Sequence, residues 1–136
     1  MSKEFTLIFM FSKNLDNVLL LERKKPPFVG LLNGLGGKKE SGETWSQCAI
    51  RELYEESGLM EAVDYKNLEF LMEIGPPQFT MHVFAGVLST DWPHKEMVLS
   101  EGTLRMYDAK SIAEENETVL AENVGMYIKT ALSVFA

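Results

Sequence analysis

The order of apolar and polar residues predicts a β-rich chain that begins with two strands. Apolar runs rich in β-forming residues occupy positions 5–11 and 18–21. The turn-prone residues 12–17 between them predict that the two strands are joined by a turn. Residues 22–29 are charged and contain two prolines, which lack the backbone donor that a central strand needs. They therefore predict a surface loop.

Further strand segments follow the middle of the chain. Residues 68–74 carry apolar side chains at every second position, and another apolar run covers residues 79–88. The turn Gly75-Pro76-Pro77 lies between these runs, so together they predict a hairpin. Residues 103–107 predict one more strand.

Helical spacing of apolar residues predicts two principal helices and a short one. The first begins at Thr44, which forms a capping box with the glutamine three residues later, and ends just before Gly58. Asp108 is placed to cap a short helix at residues 109–114. Apolar residues spaced three and four apart over 120–135 predict the last helix. Strands interspersed with helices favour an α/β fold in which a mixed sheet lies between helices.

Length, composition and charge narrow the classes of partner and location. With 136 residues, 46% of them hydrophobic, the chain predicts one domain over residues 1–136. A net charge of −7 leaves no broad basic surface, so no nucleic-acid polymer is expected as a partner. No apolar run reaches the roughly 18 residues of a membrane span, and no signal-peptide pattern is visible, so no membrane association is expected. The single cysteine, Cys48, suits a reducing compartment, and a cytoplasmic location is expected.

The main chemical signal is a cluster of carboxylates that follows a glycine-rich stretch. On the predicted helix, Glu52, Glu55 and Glu56 fall within one sector. Like charges at these spacings destabilise a helix by roughly 0.2–0.5 kcal/mol per pair, so the cluster needs a cause. A solvated helix face is the plain alternative. A hard divalent cation such as Mg²⁺, which prefers oxygen ligands and substrate phosphates, would stabilise the cluster and let an acidic protein bind a polyphosphate.

The carboxylates belong to a longer motif with fixed spacing. Gly37 is followed after five residues by Glu43, and after seven more by RELYEESGL at residues 51–59. This motif resembles the Nudix hydrolase signature G-x5-E-x7-R-E-U-x-E-E-x-G-U, with U apolar, at every fixed position. The resemblance implies an α/β/α sandwich. It also implies an enzyme that uses Mg²⁺ or Mn²⁺ to hydrolyse a nucleoside diphosphate linked to another group, X.

The same resemblance implies which residues bind the metal. Glu52, Glu55 and Glu56 correspond to the family's metal ligands, and the backbone carbonyl of Gly37 would be a further one. Glu52 and Glu56 are therefore expected among the catalytic residues. The general base that activates water is expected to be Glu52, with Glu101 as the alternative.

Residues beside these ligands also correspond to functional positions of the family. Arg51 and Glu43 resemble the pair that braces the helix against the glycine-rich loop. Lys38 resembles a lysine that lies close to substrate phosphate. Outside the signature, Glu101 resembles an additional carboxylate for metal or water, and Glu96 is the alternative for that role.

Beyond the signature, the chain resembles the MutT-like branch of the family, which hydrolyses oxidised purine nucleoside triphosphates. Residues 32–38 match well and residues 82–84 more weakly, whereas residues 120–123 depart from the branch. The implied partner is a small nucleotide, a purine triphosphate cleaved to monophosphate and pyrophosphate. Alternative substrates are ADP-ribose, a dinucleoside polyphosphate or capped RNA. A nucleotide-sensing or protein-binding domain without turnover is a different class, and the intact carboxylate set argues against it.

The candidates for substrate binding are Arg23, Phe28, Asn33, Gly36 and Asn123. Asn33 resembles an amide that hydrogen-bonds a purine edge, although a turn asparagine fits the sequence equally well. Asn123 could supply a second amide, but an N-cap of the last helix is favoured. Arg23 could instead be a solvated cation at a strand end, and Phe28 a loop aromatic that covers the core.

Overall fold

A seven-stranded mixed sheet forms the centre of the computed structural model, which describes residues 3–75 and 78–136. The strands are β1 (Lys3–Phe11), β2 (Asn17–Arg23), β3 (Leu32–Asn33), β4 (Glu69–Ile74), β5 (Phe79–Val87), β6 (Met97–Leu99) and β7 (Gly102–Asp108). Their order is β4-β5-β1-β2-β7-β6, with β3 beside β2. The β1–β5 pair is parallel and the other pairs are antiparallel, so the predicted mixed sheet is confirmed.

Helices cover both faces of this sheet. They are α1 (Trp45–Ser57), α2 (Ala109–Ile112) and α3 (Val124–Phe135). One core contains apolar residues of α1, and the core on the other face contains those of α2 and α3. The predicted sandwich of a sheet between helices is therefore confirmed. Within the described ranges, no helix is both long and apolar enough to cross a membrane.

The apolar run of β1 is continuous because this strand contributes to both cores. Ile8 and Met10 pack in the core that contains Leu53 of α1. Phe9 belongs to the other core, where its ring centroid lies 5.9 Å from that of Tyr127 in α3. Since successive strand residues point to opposite faces, a strand covered on both sides needs apolar residues at every position.

Local signals at the helix ends are confirmed. The Thr44 hydroxyl accepts from the Gln47 amide at 3.1 Å, and the Gln47 side chain accepts from the Thr44 amide at 2.8 Å. Gly58 ends α1 in the left-handed conformation, with φ at 78°. Asp108 caps α2, since its carboxylate accepts from the Ser111 amide at 3.0 Å.

Several boundaries depart from the predictions. The surface loop begins at residue 24, because β2 pairs with β7 as far as Arg23 and does not end at residue 21. α3 begins at Val124, because Leu120 forms a bridge with Leu32 instead of a helical turn. α2 is shorter than predicted, and β6 was not predicted. The hairpin of β4 and β5 is confirmed, while residues 76–77 of its predicted turn lie outside the described residues.

The glycine-rich loop, residues 34–38, takes the place of a strand beside β1. β2 pairs with β7 over its whole length, but with β1 only at the last two residues of β1. In the gap, Ile8 and Leu35 exchange backbone hydrogen bonds of 2.6 and 3.0 Å, and the Thr6 amide donates to the Gly37 carbonyl at 2.9 Å. The sheet therefore holds this loop in place directly in front of α1.

Candidate active site

A cleft of about 430 Å³ lies between α1, the glycine-rich loop and the turn from β6 to β7. It is lined by Gly36, Gly37, Lys38, Glu52, Glu55, Glu56, Leu99, Ser100 and Glu101. The structure thus brings together the three carboxylates of α1, the lysine after the double glycine and a carboxylate from a distant loop. We refer to this space as the carboxylate cleft.

Only one of the two alternative loop carboxylates reaches the carboxylate cleft. Glu101 lines it, and its negative charge helps to raise the pKa values of Glu52 and Glu56. Glu96 instead accepts from Arg105 Nη2 at 2.7 Å and from Arg105 Nε at 3.0 Å. The position of Glu96 therefore does not suit a role in this cleft.

Arg51 ties α1 to the loop in front of it. Its Nε and Nη2 donate to the two carboxylate oxygens of Glu43 at 3.0 and 2.7 Å, a bidentate pair. Its Nη1 donates to Glu52 at 2.9 Å and to Glu55 at 3.3 Å, and Nη2 also reaches the Lys38 carbonyl at 3.1 Å. The pairing with Arg51 lowers the pKa of Glu43 to about 2 and raises the pKa of Arg51.

Burial destabilises the charged forms of two carboxylates in the cleft. It raises the pKa of Glu56 to about 7, against a hydrogen bond that the Gly36 amide donates to Oε1 at 3.0 Å. It also raises the pKa of Glu52, against the ion pair with Arg51. The negative charges of neighbouring carboxylates add to both shifts. A cation bound among these groups would favour their charged forms.

The carboxylates line the cleft, but their side chains do not converge on one point. Across residues 3–75 and 78–136, no three His, Cys, Asp or Glu side chains converge closely enough to hold a metal ion. The contacts above explain this spread, because Arg51 holds Glu52 and Glu55 while the Gly36 amide holds Glu56. Metal binding would need these side chains to turn toward one another.

The Gly37 carbonyl is hydrogen-bonded to β1, and its predicted part in metal binding stays a prediction. Gly37 lines the cleft, but its oxygen accepts from the Thr6 amide at 2.9 Å and lies 3.4 Å from the Thr6 hydroxyl and 4.0 Å from Cys48 Sγ. The glycine also brings the backbone close to Glu52, because a Cβ at Gly37 would lie 2.5 Å from Oε2 of that residue.

Thr6 is a residue of the site that the sequence analysis missed. Its side chain is buried in β1, where the hydroxyl lies 3.4 Å from both the Gly37 oxygen and Cys48 Sγ. The available signal was a single polar residue within the apolar run 5–11.

Cys48 is a buried thiol, and burial raises its pKa to about 11. This agrees with an inert structural cysteine.

Arg23, the last residue of β2, and Phe28, in the loop at 24–31, are two of the residues predicted to contact substrate. Arg23 Nε donates to the Pro27 carbonyl at 2.8 Å and Nη2 donates to the Pro26 carbonyl at 3.2 Å, so this guanidinium is not a solvated cation. Phe28 is 39% exposed, which does not fit the alternative that it covers the core. No contact of either residue tests its predicted role toward a substrate.

The two asparagines lie outside the lining of the carboxylate cleft. The Asn33 side-chain oxygen accepts from the amide of the next residue, Gly34, at 2.8 Å, and Asn33 itself is the last residue of β3. Asn123 is the N-cap residue of α3, as favoured from the sequence, with φ at 66°, but among the described residues its side chain forms no capping hydrogen bond. It lines a separate depression of about 530 Å³ between α2 and α3. A purine pocket built from both amides stays a prediction.

Comparison with known proteins supports the signature over most of the chain. The NUDIX domain family matches residues 4–119. The chain is 36% identical over 89 residues to the oxidized purine nucleoside triphosphate hydrolase of Mus musculus, covering 62% of this chain and 54% of the relative. It is 38% identical over 85 residues to the protein of the same name from Danio rerio, covering 61% and 53%. The chain spans about half the length of these curated relatives.

The fold is shared with solved NUDIX domains. The NUDIX domain of Shewanella oneidensis NrtR, complexed with ADP ribose, superposes with a TM-score of 0.78 at 17% identity, over 100% of this chain and 90% of that one. The family match includes β1, the glycine-rich loop, α1 and the strands up to β7. On the fold, the signature and this match, the chain belongs to the Nudix family.

Proposed function

We propose that the protein is a divalent-metal-dependent pyrophosphohydrolase of nucleoside diphosphate-X compounds. Its proposed substrates are purine nucleoside triphosphates, including oxidised ones such as 8-oxo-dGTP, which it would cleave to nucleoside monophosphate and pyrophosphate. The observation that carries this proposal is the carboxylate cleft, where three glutamates of α1 and Glu101 face a glycine-rich backbone.

The chemistry of the cleft fits Mg²⁺ or Mn²⁺. We assign the ligands to Glu52, Glu55, Glu56 and Glu101, because carboxylate oxygens suit a hard cation and two of these groups are destabilised as anions by burial. Once bound, such a cation supplies positive charge that acidifies water and neutralises phosphate oxygens. Glu52 and Glu55 would exchange part of their contact with Arg51 for the cation.

The residues of the chain then position water and phosphate. Glu52 takes a proton from the attacking water. The water oxygen then forms a bond to phosphorus as the bridging P–O bond breaks. Arg51, held by Glu43 through two hydrogen bonds, keeps the Glu52 carboxylate in place. Lys38 lines the same cleft and would neutralise phosphate charge. Glu101 is the alternative base because it shares the cleft.

Purine specificity rests on the relatives and on one amide. The mouse and zebrafish proteins are named for oxidized purine nucleoside triphosphates. Asn33 uses its side-chain oxygen on the Gly34 amide, and its NH₂ group would donate to an acceptor on the purine edge. ADP-ribose is the competing substrate, since the NrtR domain with the same fold was solved with it.

A substrate panel tests the proposal. Pyrophosphate and monophosphate release would be measured for oxidised dGTP, dGTP, dATP, dCTP, ADP-ribose and capped RNA, in Mg²⁺ and in excess EDTA. Hydrolysis of the purine triphosphates only in Mg²⁺ is the expected result, with Glu52→Gln as the inactive control. Full activity in EDTA, or no turnover of any substrate with Mg²⁺, would rule out the proposed enzyme.

A further inference from the structure

Arg23 stands where two loops beside the carboxylate cleft meet. Its backbone amide donates to the Leu31 carbonyl at 3.0 Å and its carbonyl accepts from the Gly30 amide at 2.7 Å, so it closes the loop at 24–31. The next residue, Lys24, donates from its amide to the Glu101 carbonyl at 3.0 Å. The backbone of Arg23 and Lys24 therefore joins this loop to the turn that carries Glu101.

The guanidinium of Arg23 joins the same two loops through its side chain. Nε and Nη2 are hydrogen-bonded to the carbonyls of Pro27 and Pro26 at 2.8 and 3.2 Å. Nη1 lies 3.9 Å from Oε2 of Glu101. The Arg23 side chain is 17% exposed, against 47% for Glu101. An arginine that binds substrate phosphate would direct its planar fork of donors at the ligand, whereas two nitrogens of this fork donate to the protein and the third lies 3.9 Å from Glu101.

We propose that Arg23 is a positioning residue that holds the Glu101 carboxylate toward the cleft and does not itself bind substrate. The inference rests on the proposed function, because it takes Glu101 as part of the metal site. A lysine could not replace Arg23, since one ammonium lacks the rigid fork that reaches the loop carbonyls and Glu101 together. The role differs from that predicted for Arg23 from the sequence.

Two opposing effects of Arg23 make the inference testable. Its positive charge repels a cation in the cleft, while its contact keeps a ligand carboxylate in position. Removing Arg23 from the wild-type protein removes both effects, but removing it from the Glu101→Gln variant removes only the repulsion. The same substitution should thus weaken metal binding in the wild-type background but not in the Glu101→Gln background.

The experiment is a double-mutant cycle on metal binding without substrate. Free Mn²⁺ would be measured by electron paramagnetic resonance for wild type, Arg23→Met, Glu101→Gln and the double variant, with thermal unfolding recorded for each. Arg23→Met should weaken Mn²⁺ binding about tenfold, at the lower end of the effect of residues that orient metal ligands. In the Glu101→Gln background it should leave the affinity unchanged or tighten it. Arg23→Lys keeps the repulsion but loses the fork, so it should weaken Mn²⁺ binding in the wild-type background and leave it unchanged in the Glu101→Gln background. It provides the cycle if the methionine variant does not fold.

A matched pair away from the cleft serves as the control. Arg105 and Glu96 form an ion pair at 2.7 Å, and the cycle of Arg105→Met with Glu96→Gln should leave Mn²⁺ affinity unchanged. Equal weakening by Arg23→Met in both backgrounds would mean a general disturbance of the loop and would overturn the inference, as would no change in either. A wild-type protein that binds no Mn²⁺ would instead overturn the proposed function, and this inference with it.

Discussion

The Glu52 carboxylate lies against the backbone of Gly37, so that a Cβ on this glycine would come 2.5 Å from both Cδ and Oε2. The neighbouring glycine is confined differently. A Cβ at Gly36 would lie 1.9 Å from the Thr6 carbonyl oxygen, at a φ of +152°. The first position conflicts with the mobile end of a side chain, and the second with the backbone of β1.

Alanine at these two glycines should therefore give different defects. Gly37→Ala should fold with nearly normal stability but lose at least about tenfold in kcat, because Glu52 must move from its place. Gly36→Ala should lower the free energy of unfolding by several kcal/mol, since β1 and the loop cannot separate cheaply. Urea unfolding and kcat measured on both variants check this. Loss of folding in both, or of kcat in neither, would contradict it.

Glu52→Gln tests the general base. The amide keeps the shape of the side chain, but it cannot take a proton from water. We expect kcat to fall by roughly 10² to 10⁴-fold with the fold retained. Glu69→Gln, on the exposed end of strand β4, is the control for loss of one negative charge and should leave kcat unchanged. A kcat of Glu52→Gln within about threefold of wild type would reject Glu52 as the base.

Substitution of Glu101 and of Glu96 should have different effects on metal-dependent turnover. Glu101→Gln should reduce kcat or raise the Mg²⁺ concentration needed for half-maximal turnover, with little change in thermal stability, because a half-exposed carboxylate contributes little to the core. Glu96→Gln should leave both kinetic quantities unchanged, since it loses only surface contacts with Arg105. Mg²⁺ titrations of the two variants side by side measure this, and the reverse ranking would reject Glu101.

The raised pKa of Glu56 predicts how the stability of the metal-free protein depends on pH. The folded pKa of about 7 lies above the ordinary value of 4.5, so the unfolded chain loses this proton first. The stabilisation is present in full below about pH 4.5 and is lost as the pH rises through 7, by roughly 3 kcal/mol at most. Urea unfolding in EDTA from pH 5 to 8 should show this decline, with a smaller slope in Glu56→Gln. Equal slopes in the two proteins would show that folding does not raise the pKa of Glu56.

Asn33 can be tested with a variant that keeps its hydrogen bond to the Gly34 amide. Asn33→Asp preserves an oxygen for the Gly34 amide but removes the NH₂ donor proposed to read the purine. We expect unchanged thermal stability and a loss of about tenfold in the ratio of kcat/KM for oxidised dGTP to that for dCTP, carried mainly by KM. Asn33→Ala should lose the same preference and also some stability. A preference untouched in both variants would mean that Asn33 has only a structural role.

Local signals in the sequence were enough to predict α1 and its carboxylates. The capping box at Thr44 and the glycine at 58 act within one helical turn, and helix geometry alone brings Glu52 and Glu55 to one face. The same was true of the strands with clear apolar patterns. β6 has three residues and depends on its pairing with β7, so no local pattern marks it.

The features that could not be predicted from the sequence depend on contacts between distant segments. Glu96 and Glu101 lie close together in the chain, and only the pairing of Leu99 with Gly102 puts one at the tip of the turn and the other at the strand end. The contacts of Arg23 depend on where the loop places two successive proline carbonyls. The sequence identifies such a residue as basic, but its partners follow from the folded backbone.

The spacing of the signature follows from contacts at both ends of the segment from Gly37 to Glu43. At one end the Gly37 backbone lies under the Glu52 carboxylate, and at the other Glu43 binds the Arg51 guanidinium with both oxygens. The residues between Gly37 and Glu43 must therefore span a set distance, because both ends meet the same two consecutive residues of one helix. A residue inserted or deleted between Gly37 and Glu43 would therefore break one of these two contacts.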